Sequence, residues 1–368
     1  MIPKHFLIVG AGFAGSVCAR ILAEAGRSVQ IIDRREHVGG ISYDQLDSHG
    51  VLVHTYGPHI FHTRNAAVFA LLSRFTEWRS YEHRALAVVG EEHVPVPVNR
   101  TTINRLFRLN LRTKEEVRAH LDRVRMPRAQ LLTSEDVVLD AVGPELCDKL
   151  FRGYTRKQWG VDLSTLSASV LARIPVRTDD DDRYFTDPIQ YMPAQGYTPL
   201  FNRLLDHPGI RLQTCCEYRA RHRSSTDTHL IYTGPIDEYF NCCYGRLPYR
   251  SLRFEHEQLP GVPKFQPVAV MIYPEHPTCT RISEFKHMTG QEHTGTSILR
   301  EHPQADGAPY YPVPCPESDA LYARYAALAA EQRSVSFVGR LAQYRYYNMD
   351  QVVEEAMQTA KRLLTGAT

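Results

Sequence analysis

The stretch Ile8-Val9-Gly10-Ala11-Gly12-Phe13-Ala14-Gly15, close to the start of the chain, decides the fold. It fits the pattern G-x-G-x-x-G and stands between an apolar strand predicted over 5–9 and a helix predicted over 13–25. A second apolar strand is predicted over 28–33. The glycines permit a tight turn, a close approach of the backbone to a pyrophosphate and close helix–strand packing, and the helix N-terminus attracts that anion. The sequence therefore predicts a βαβ unit that binds a dinucleotide.

Asp33 ends the second predicted strand, about 20 residues after the glycine turn, where a carboxylate accepts hydrogen bonds from ribose hydroxyls. Arg34 and Arg35 follow it, but the carboxylate would repel a 2′-phosphate, so we discount NADP at this site. The glycine pair Gly39-Gly40 comes after the acid, as in many FAD proteins, and Gly339-Arg340 follows a late predicted strand. FAD is the predicted cofactor, and NAD stays the alternative.

The last predicted helix, over 350–364, begins beside Asn348-Met349-Asp350-Gln351. Asn348 with Gln351 three residues later fits a capping box. A helix whose N-terminus points at the pyrimidine edge of a flavin would favour the anionic reduced form. This helix start is therefore predicted to contact the cofactor.

The counts of charged residues exclude some partners. The chain has 368 residues, with 43 Lys and Arg against 41 Asp and Glu and a formal net charge of +2. This length suits two or three cores, and the balance argues against nucleic acid and anionic membranes as main partners. No apolar run approaches the ~18 residues of a spanning helix. The eight cysteines form no C-x-x-C, so we expect reduced thiols in a cytoplasmic protein.

The patterns along the chain predict an α/β fold formed by both chain ends, with other domains inserted. Helical spacing dominates 101–109, 114–124 and 134–139, which predicts an inserted helical subdomain. Short alternating segments predict strands within 209–232 and 247–273. A buried strand over 335–338 and the last helix return to α/β character, which suits a doubly wound dinucleotide-binding domain.

A second constellation consists of nine separate motifs. They are Tyr56-Gly57-Pro58-His59-Ile60-Phe61-His62-Thr63, Tyr154-Thr155-Arg156-Lys157-Gln158-Trp159-Gly160, Arg173-Ile174-Pro175-Val176-Arg177, Asp182-Arg183-Tyr184-Phe185, Thr233-Gly234-Pro235-Ile236-Asp237, Leu247-Pro248-Tyr249-Arg250-Ser251-Leu252, Thr280-Arg281-Ile282, Tyr310-Tyr311-Pro312 and Gly339-Arg340-Leu341. In this order, within a match over about residues 5–360, they strongly resemble the UDP-galactopyranose mutases.

The resemblance implies an isomerase that interconverts UDP-galactopyranose and UDP-galactofuranose. In that family, reduced FAD attacks the anomeric carbon through its N5 and UDP leaves. The sugar ring opens and recloses with five members, and UDP returns without net redox change. The resemblance also implies a cytoplasmic homodimer of cell-surface polysaccharide biosynthesis, with NAD(P)H or another reductant for FAD and with no nucleic-acid or membrane partner.

The resemblance implies three domains: a Rossmann-like FAD-binding α/β domain, an inserted helical domain with a mobile loop, and an antiparallel β-sheet domain for substrate. The predicted boundaries are 1–78, 190–235 and 315–368 for the first, 99–168 for the second, and 79–98, 169–189 and 236–314 for the third.

Roles of single residues follow from the same resemblance. The predicted catalytic residues are Arg173 and Arg281, which match a pair that clamps the diphosphate, and His59, which matches a histidine beside the flavin. The predicted substrate-binding residues are Phe151, Tyr154, Thr155, Trp159, Tyr184, Phe185, Ile272, Glu301, Tyr311 and Tyr346. The predicted cofactor-binding residues are Gly10, Gly12, Phe13, Ala14, Gly15, Asp33, Arg34, Gly40, Ile41, His59, Gly339, Arg340, Asn348, Met349 and Asp350. No metal site is predicted.

Four positions depart from the family pattern. Gly39-Gly40-Ile41-Ser42-Tyr43 stands where the family has Gly-Gly-Asn-Ala-Tyr, and Asn348 stands for an aspartate. Ile272 and Val89 stand for two asparagines, one of which touches the hexose. An apolar pocket leaves a buried hydroxyl unpaired, at a cost of about 1–3 kcal/mol. These changes favour, as an alternative, the same chemistry on a 6-deoxy or otherwise altered pyranose, linked to UDP or to another nucleotide.

Two other classes stay open. An FAD-dependent amine oxidase-like oxidoreductase would share the glycine turn and Gly339-Arg340, but it needs neither a diphosphate clamp nor the motif that ends at Trp159. The other class is a non-catalytic protein that binds FAD or a nucleotide sugar.

Arg177 and Arg183 are expected to be surface ion-pair partners, worth about 0–1 kcal/mol each, and the run Asp179–Asp182 is expected to be solvated.

Overall fold

The computed structural model describes residues 3–219, 222 and 227–366. Its strands are β1 (His5–Val9), β2 (Ser28–Ile32), β3 (Asp44–Leu46), β4 (Leu52–His54), β5 (Phe61–Thr63), β6 (Trp78–Ser80), β7 (Ala85–Val89), β8 (Glu92–Val96), β9 (Ile189–Pro193), β10 (Ile210–Gln213), β11 (Thr228–Tyr232), β12 (Tyr249–Leu259), β13 (Val270–Ile272), β14 (Arg281–Glu284), β15 (Thr296–Gln304), β16 (Tyr311–Pro312) and β17 (Val335–Phe337). Its α-helices are α1 (Phe13–Glu24), α2 (Ala66–Ser73), α3 (Arg100–Phe107), α4 (Lys114–Val124), α5 (Ser134–Leu146), α6 (Gly153–Trp159), α7 (Ala168–Leu171), α8 (Tyr197–Leu205), α9 (Ile236–Tyr239), α10 (Lys286–Thr289), α11 (Pro316–Ala330) and α12 (Met349–Thr365).

Both ends of the chain contribute to a parallel sheet of five strands in the order β10-β2-β1-β11-β17. Its central strands are apolar along their length because both faces are covered. Ile8 and Ile31 belong to a core cluster shared with α1, α8 and α12, whereas Leu7 and Ile32 belong to a cluster on the other face. The predicted βαβ unit and the α/β fold class are confirmed, and α1 ends one residue earlier than expected, at Glu24.

A second sheet has seven strands in the order β16-β12-β15-β14-β13-β7-β8. Most neighbours are antiparallel, and β12 and β15 form its longest pairing. β13 and β7 are parallel, with Val270 opposite Ala85. The expectation of an antiparallel sheet is therefore corrected to a mixed one. The physical reason is that β7 and β13 come from distant parts of the chain, so no hairpin fixes their relative direction.

Helices α3 to α7 surround their own core, whose buried members include Ile103, Val117, Val138, Leu146 and Leu163. Three of these helices begin with capping boxes, which pair two orphan backbone groups each. The predicted helices are present, and α5 continues beyond the predicted residue 139 to Leu146, with a kink at Gly143, whose φ is 77°. Treating this region as a separate domain with a mobile loop stays a prediction, as do the other domain boundaries.

The acidic run Asp179–Asp182 lies in a solvent-accessible loop, as expected, and each of its carboxylates also pairs with a basic side chain. Its ion-pair partners, in order, are Lys114, Arg100, Arg183 and Arg84. Arg177, by contrast, is not the surface ion-pair partner that was expected: it is 9% exposed and donates to the backbone oxygen of Asp181 at 3.0 Å. A buried guanidinium needs such acceptors because water is excluded from it. The run therefore fastens the segment before Tyr184 to α3, α4 and the β6–β7 connection.

Three further predictions from the sequence concern strands, cysteines and membrane-spanning helices. Strands predicted within 209–232 and 247–273 appear as β10 to β13, whereas residues 220, 221 and 223–226 lie outside the described residues. Each of the eight cysteines is a free thiol. Among the described residues, no helix is long and apolar enough to cross a membrane.

Candidate active site

A groove follows the carboxyl ends of β1, β2 and β11, the edge at which doubly wound sheets bind ligands. Its wider compartment has a volume of about 1170 Å³ and is lined by residues such as Arg34 and Tyr239. A narrower compartment of about 160 Å³ shares Gly10, Asp33 and Thr233 with it. The two compartments therefore adjoin at the glycine turn and form one continuous site.

Asp33 holds the glycine turn in place. It is 4% exposed, and its Oδ2 accepts the N–H of Ala11 at 2.7 Å while its Oδ1 accepts the N–H of Arg35 at 2.8 Å. A carboxylate oxygen can accept more than one hydrogen bond. Asp33 can therefore fix the turn and still accept a ribose hydroxyl from the groove.

Two positions of the motif are occupied by glycine for different physical reasons. A Cβ on Gly15 would lie 1.9 Å from the carbonyl oxygen of Gly10, so Gly15 is required for helix–strand packing. A Cβ on Gly12 would meet protein only at 3.7 Å, on Gly40, and the φ of Gly12 is −82°, which any residue adopts. Gly12 lines the narrow compartment. The absence of a side chain at Gly12 leaves room for a ligand. Packing within the protein does not require that absence.

A second cavity, the cleft, has a volume of about 460 Å³ and meets the narrow compartment at His59, Arg340, Tyr347 and Met349. It lies between α6, the α7–β9 segment, the adjoining ends of β13 and β14, and the start of α12. The sequence-predicted residues that it brings together are His59, Tyr154, Trp159, Arg173, Tyr184, Phe185, Ile272, Arg281, Tyr311, Arg340, Tyr346, Asn348 and Met349.

Besides Arg64 at the rim, three guanidinium groups line this cleft in different environments. Arg281 Nε lies 2.8 Å from Oε1 of Glu301, whose side chain is 0% exposed. Arg173 donates to the side-chain oxygen of Asn348. Arg340 donates to the backbone oxygen of Tyr310. Only Arg281 has a carboxylate partner among these three contacts.

The cleft therefore carries excess positive charge. Glu301 balances Arg281, and at the rim Asp187 pairs with Arg64 at 2.7 Å. Within residues 3–219, 222 and 227–366, no carboxylate forms an ion pair with Arg173 or Arg340. Two uncompensated positive charges in a partly buried cavity attract a dianion, and each is worth a few kcal/mol at about 4 Å for an effective dielectric near 20. A diphosphate is such a ligand.

Aromatic side chains surround these charges. Trp159 is 5% exposed and meets Tyr311 and Tyr346 edge-on, with ring centroids 6.0 and 5.4 Å away. The guanidinium of Arg173 lies 4.4 Å from the ring centroid of Tyr346. Burial raises the pKa of Tyr154, Tyr184 and Tyr311 above the ordinary value of 10.0. Their hydroxyls therefore stay protonated at neutral pH and can donate to phosphate oxygens.

His59 lies where the groove and the cleft meet, and it is neutral at physiological pH. Burial lowers its pKa to about 3, with further contributions from His54, Arg340 and Arg281. Its Nδ1 lies 2.9 Å from the backbone oxygen of Gly57, which can only accept, so Nδ1 carries the proton. His59 Nε2 therefore presents a lone pair. Behind it, His54 accepts the backbone N–H of His59 at 3.1 Å.

Comparisons with known proteins identify this combination of groove and cleft. Residues 149–346 match the family model described as UDP-galactopyranose mutase, and residues 8–75 match that of an NAD(P)-binding Rossmann-like domain. The chain is 40% identical over 373 residues to a probable UDP-galactopyranose mutase of Klebsiella pneumoniae, covering 100% of this chain and 96% of that protein. The chain belongs to the UDP-galactopyranose mutase family.

Two further relatives of this family member are informative. A dTDP-fucopyranose mutase of Escherichia coli is 36% identical over 366 residues, covering 96% of this chain and 97% of that protein. A crystal structure of reduced UDP-galactopyranose mutase matches the fold with a TM-score of 0.81, at 18% identity and with coverage of 100% and 96%. The chain is accordingly an enzyme of the mutase type, and the family resemblance of its nine motifs is confirmed.

Several predicted site residues of this mutase lie away from the cavities. Glu301 is fully buried behind Arg281, so we revise its role from direct substrate contact to support of that arginine. Thr155 is 1% exposed, and Phe151 packs against the helical core. Asp350 lines none of the three compartments, and its buried Oδ1 has no hydrogen-bond partner among the described residues.

Two other assignments change. Asn348 faces the cleft and Arg173, so its side chain lies on the substrate side of the boundary and not in the cofactor groove. Val89 is 8% exposed and belongs to the core beneath the helices, so its apolar character serves packing there. Of the two apolar departures, Ile272 alone lines the cleft.

The cleft also contains residues that sequence reasoning missed. His83 is 4% exposed and lines the cleft, with its Nδ1 3.0 Å from the hydroxyl of Tyr81. At the rim, His62 Nδ1 lies 2.6 Å from Asp187 and its ring stacks on Phe185 at 3.6 Å. Of His83, His62 and Asp187, only His62 belongs to one of the nine motifs. The positions of His83 and Asp187 depend on pairings between distant segments, for which the local sequence carries no signal.

Proposed function

We propose that the enzyme interconverts UDP-galactopyranose and UDP-galactofuranose without net redox change, using FAD in its reduced state. The observation that carries this proposal is the pair of uncompensated guanidiniums, Arg173 and Arg340, in a cleft that opens onto a dinucleotide groove. A diphosphate bound between them would place its sugar next to the end of the groove. The family membership of the chain supports the same reaction.

The groove fits FAD in shape and chemistry. Gly10, Gly12 and the start of α1 would hold the pyrophosphate, Asp33 would hold the ribose, and Arg34 would lie beside the nucleotide half in the wide compartment. Ile41, Gly339 and Met349 would contact the flavin half in the narrow compartment. Bound there in its reduced state, FAD would lend a nucleophilic electron pair to the anomeric carbon and regain it when the diphosphate returns, so the sugar would be neither oxidised nor reduced overall.

Gly12→Ala tests this use of the groove. The added methyl group has ordinary contact distance to the protein, so the variant should fold and melt like the wild type. Inside the groove the methyl group occupies ligand space, and we expect FAD affinity to fall about tenfold or more, since one misfitted methyl group costs ~1–3 kcal/mol. Flavin absorbance after gel filtration measures the change. Unchanged flavin content would mean that Gly12 does not face the cofactor.

The residues of the cleft would act on the leaving group. Arg173, Arg281 and Arg340 would stabilise the negative charge that develops on the departing diphosphate. Tyr184 and Tyr311 would add O–H donors. Trp159 would cover the nucleotide and exclude water, and Tyr154 would face the base. The diphosphate stays bound in this arrangement, so it can return after the sugar ring has contracted.

His59 would handle a proton at the boundary between cofactor and sugar. Its Nε2 lone pair is available because Nδ1 donates to Gly57. A neutral imidazole can accept a proton and return it within one catalytic cycle. Burial between cationic groups disfavours lasting protonation of His59, which suits a transient acceptor.

The cellular setting is proposed from the same family membership. We propose a cytoplasmic homodimer that supplies galactofuranose for cell-surface polysaccharide, with NAD(P)H or another reductant for FAD. Incubating the reduced protein with UDP-galactofuranose and following UDP-galactopyranose by chromatography tests the reaction. Absence of interconversion with flavin bound and reduced would contradict the proposed substrate.

A 6-deoxy sugar nucleotide is a second candidate substrate, favoured by Ile272 in the cleft and by the relative named as a dTDP-fucopyranose mutase. An apolar side chain there tolerates a methyl group where it would leave a hydroxyl unpaired. Ile272→Asn should raise kcat/KM for UDP-galactofuranose relative to its 6-deoxy analogue about tenfold, or ~1–2 kcal/mol. The ratio of the two kcat/KM values measures the effect. An unchanged ratio would mean that Ile272 does not select the sugar.

A further inference from the structure

Lys157 has an unusual set of partners. Its Nζ lies 2.5 Å from the backbone oxygen of Tyr273, 3.0 Å from that of Pro274, 2.5 Å from that of His276 and 3.2 Å from that of Cys279. All four oxygens belong to the carbonyl loop, residues 273–280, which joins β13 to β14. Burial lowers the pKa of Lys157 to about 8, so the ammonium form prevails at neutral pH.

The carbonyl loop is shaped to surround a cation. His276 Nδ1 accepts the N–H of Thr278 at 3.1 Å and that of Cys279 at 2.9 Å, which turns the chain back on itself. The N–H of Tyr273 donates to the oxygen of Thr280 at 2.9 Å. These contacts leave several carbonyls converging on one point. Converging carbonyl dipoles repel one another unless a positive charge lies between them, as in protein sites for K⁺.

The loop and the lysine belong to two different elements that contribute walls to the cleft. Ile272 ends β13 and Arg281 begins β14, where the two are direct partners, and both line the cleft. Lys157 lies in α6, which carries Tyr154 and Trp159 to the other wall. A Cβ on Gly153, at the start of α6, would lie 2.7 Å from the oxygen of Pro274. The helix and the loop are therefore in direct backbone contact at this point.

We propose that Lys157 is a positioning residue that supplies the carbonyl loop with its cation and thereby fixes Trp159 relative to Arg281. The inference rests on the proposed function, since the ligand held between these walls is the nucleotide diphosphate. Lys157 does not reach the reacting atoms. Its loss should weaken nucleotide binding and raise KM more than it lowers kcat. Truncation of the Lys157 side chain should also leave a cage, formed by the backbone oxygens of the carbonyl loop, that accepts a small ammonium ion.

Lys157→Ala is the test, with UDP as the probe and isothermal titration calorimetry as the measurement. We expect the Kd for UDP to rise about tenfold to a hundredfold, the scale of a lost set of charge-assisted hydrogen bonds. Ethylammonium chloride should restore most of the affinity, whereas tetramethylammonium chloride at equal ionic strength should not, because it has no N–H donors. Lys149→Ala is the matched control, since Lys149 pairs at the surface with Glu145 at 3.6 Å and lines none of the three compartments.

A second variant separates the cage from general effects of salt. Lys157→Met fills the space without charge, so it should lose affinity like Lys157→Ala and should not respond to ethylammonium. Wild-type affinity in Lys157→Ala, no response of that variant to ethylammonium, or an equal response of Lys157→Met would each overturn the proposal.

Failure of the proposed function would be recognised separately, as wild-type protein that does not bind UDP. The cage is then tested without ligand, by hydrogen exchange at the amides of residues 273–280. These amides should exchange faster in Lys157→Ala and slow again with ethylammonium. Unchanged exchange in Lys157→Ala would overturn the proposal.

Discussion

Arg173→Ala is expected to lower kcat/KM for UDP-galactofuranose about a thousandfold, or ~4 kcal/mol, while FAD stays bound. Arg173 has a neutral partner, Asn348, so its full charge is available to the diphosphate. The leaving diphosphate gains negative charge during the reaction, so the interaction is strongest in the transition state. We therefore expect a fall in kcat as well as a rise in KM, measured by steady-state kinetics with reduced enzyme.

A matched control exists for Arg173→Ala. Arg324 also stacks on an aromatic ring, with its guanidinium 3.9 Å from the centroid of Tyr244, but it lines none of the three compartments. Arg324→Ala should leave kcat/KM unchanged. If Arg173→Ala lost flavin and kept its activity on addition of FAD, Arg173 would belong to the cofactor groove and the proposed diphosphate clamp would be misplaced.

Glu301→Ala is expected to reduce the free energy of unfolding by about 3–5 kcal/mol, because it leaves the charge of Arg281 without its carboxylate partner. The carboxylate is 0% exposed, and Oε1 lies 2.8 Å from Arg281 Nε. Without the carboxylate, the guanidinium, whose side chain is 23% exposed, keeps only weaker acceptors. Urea unfolding of wild-type and variant protein measures the change. Equal stability would mean that the ion pair is not a structural element of the cleft.

The double variant Glu301→Leu/Arg281→Met separates stability from function. Replacing both members of a buried pair by apolar residues is often neutral or stabilising, because no buried charge is left unpaired. We expect it to recover most of the stability lost in Glu301→Ala and to remain inactive. Recovery of activity together with stability would mean that Arg281 does not bind the diphosphate.

The sequence predicts the βαβ unit at the groove correctly because that unit is local. The glycine turn, the strand before it and the helix after it occupy one short stretch, and Asp33 follows at a fixed spacing. Periodicity and turn chemistry therefore determine where these residues lie. The same holds for the start of α12, where the predicted capping box between Asn348 and Gln351 is present.

The cleft is less predictable because it is assembled from distant segments. The parallel pairing of β13 with β7 and the pairing of Glu301 with Arg281 depend on tertiary packing. The carbonyl partners of Lys157 carry no side-chain signature at all, since any residue supplies a backbone oxygen. Family motifs indicate which residues matter, but only the three-dimensional arrangement separates Glu301, which supports Arg281, from Tyr184, which faces the cavity.

Stoichiometry of turnover against reductant tests the proposed chemistry most directly. Enzyme is reduced anaerobically with less dithionite than substrate, UDP-galactofuranose is added, and UDP-galactopyranose is quantified by chromatography. The expected result is product in large excess over reductant, with no oxygen uptake in proportion to product when air is admitted. Product limited to the amount of reductant, or one oxygen consumed for each sugar, would contradict a mutase and indicate a net oxidoreductase.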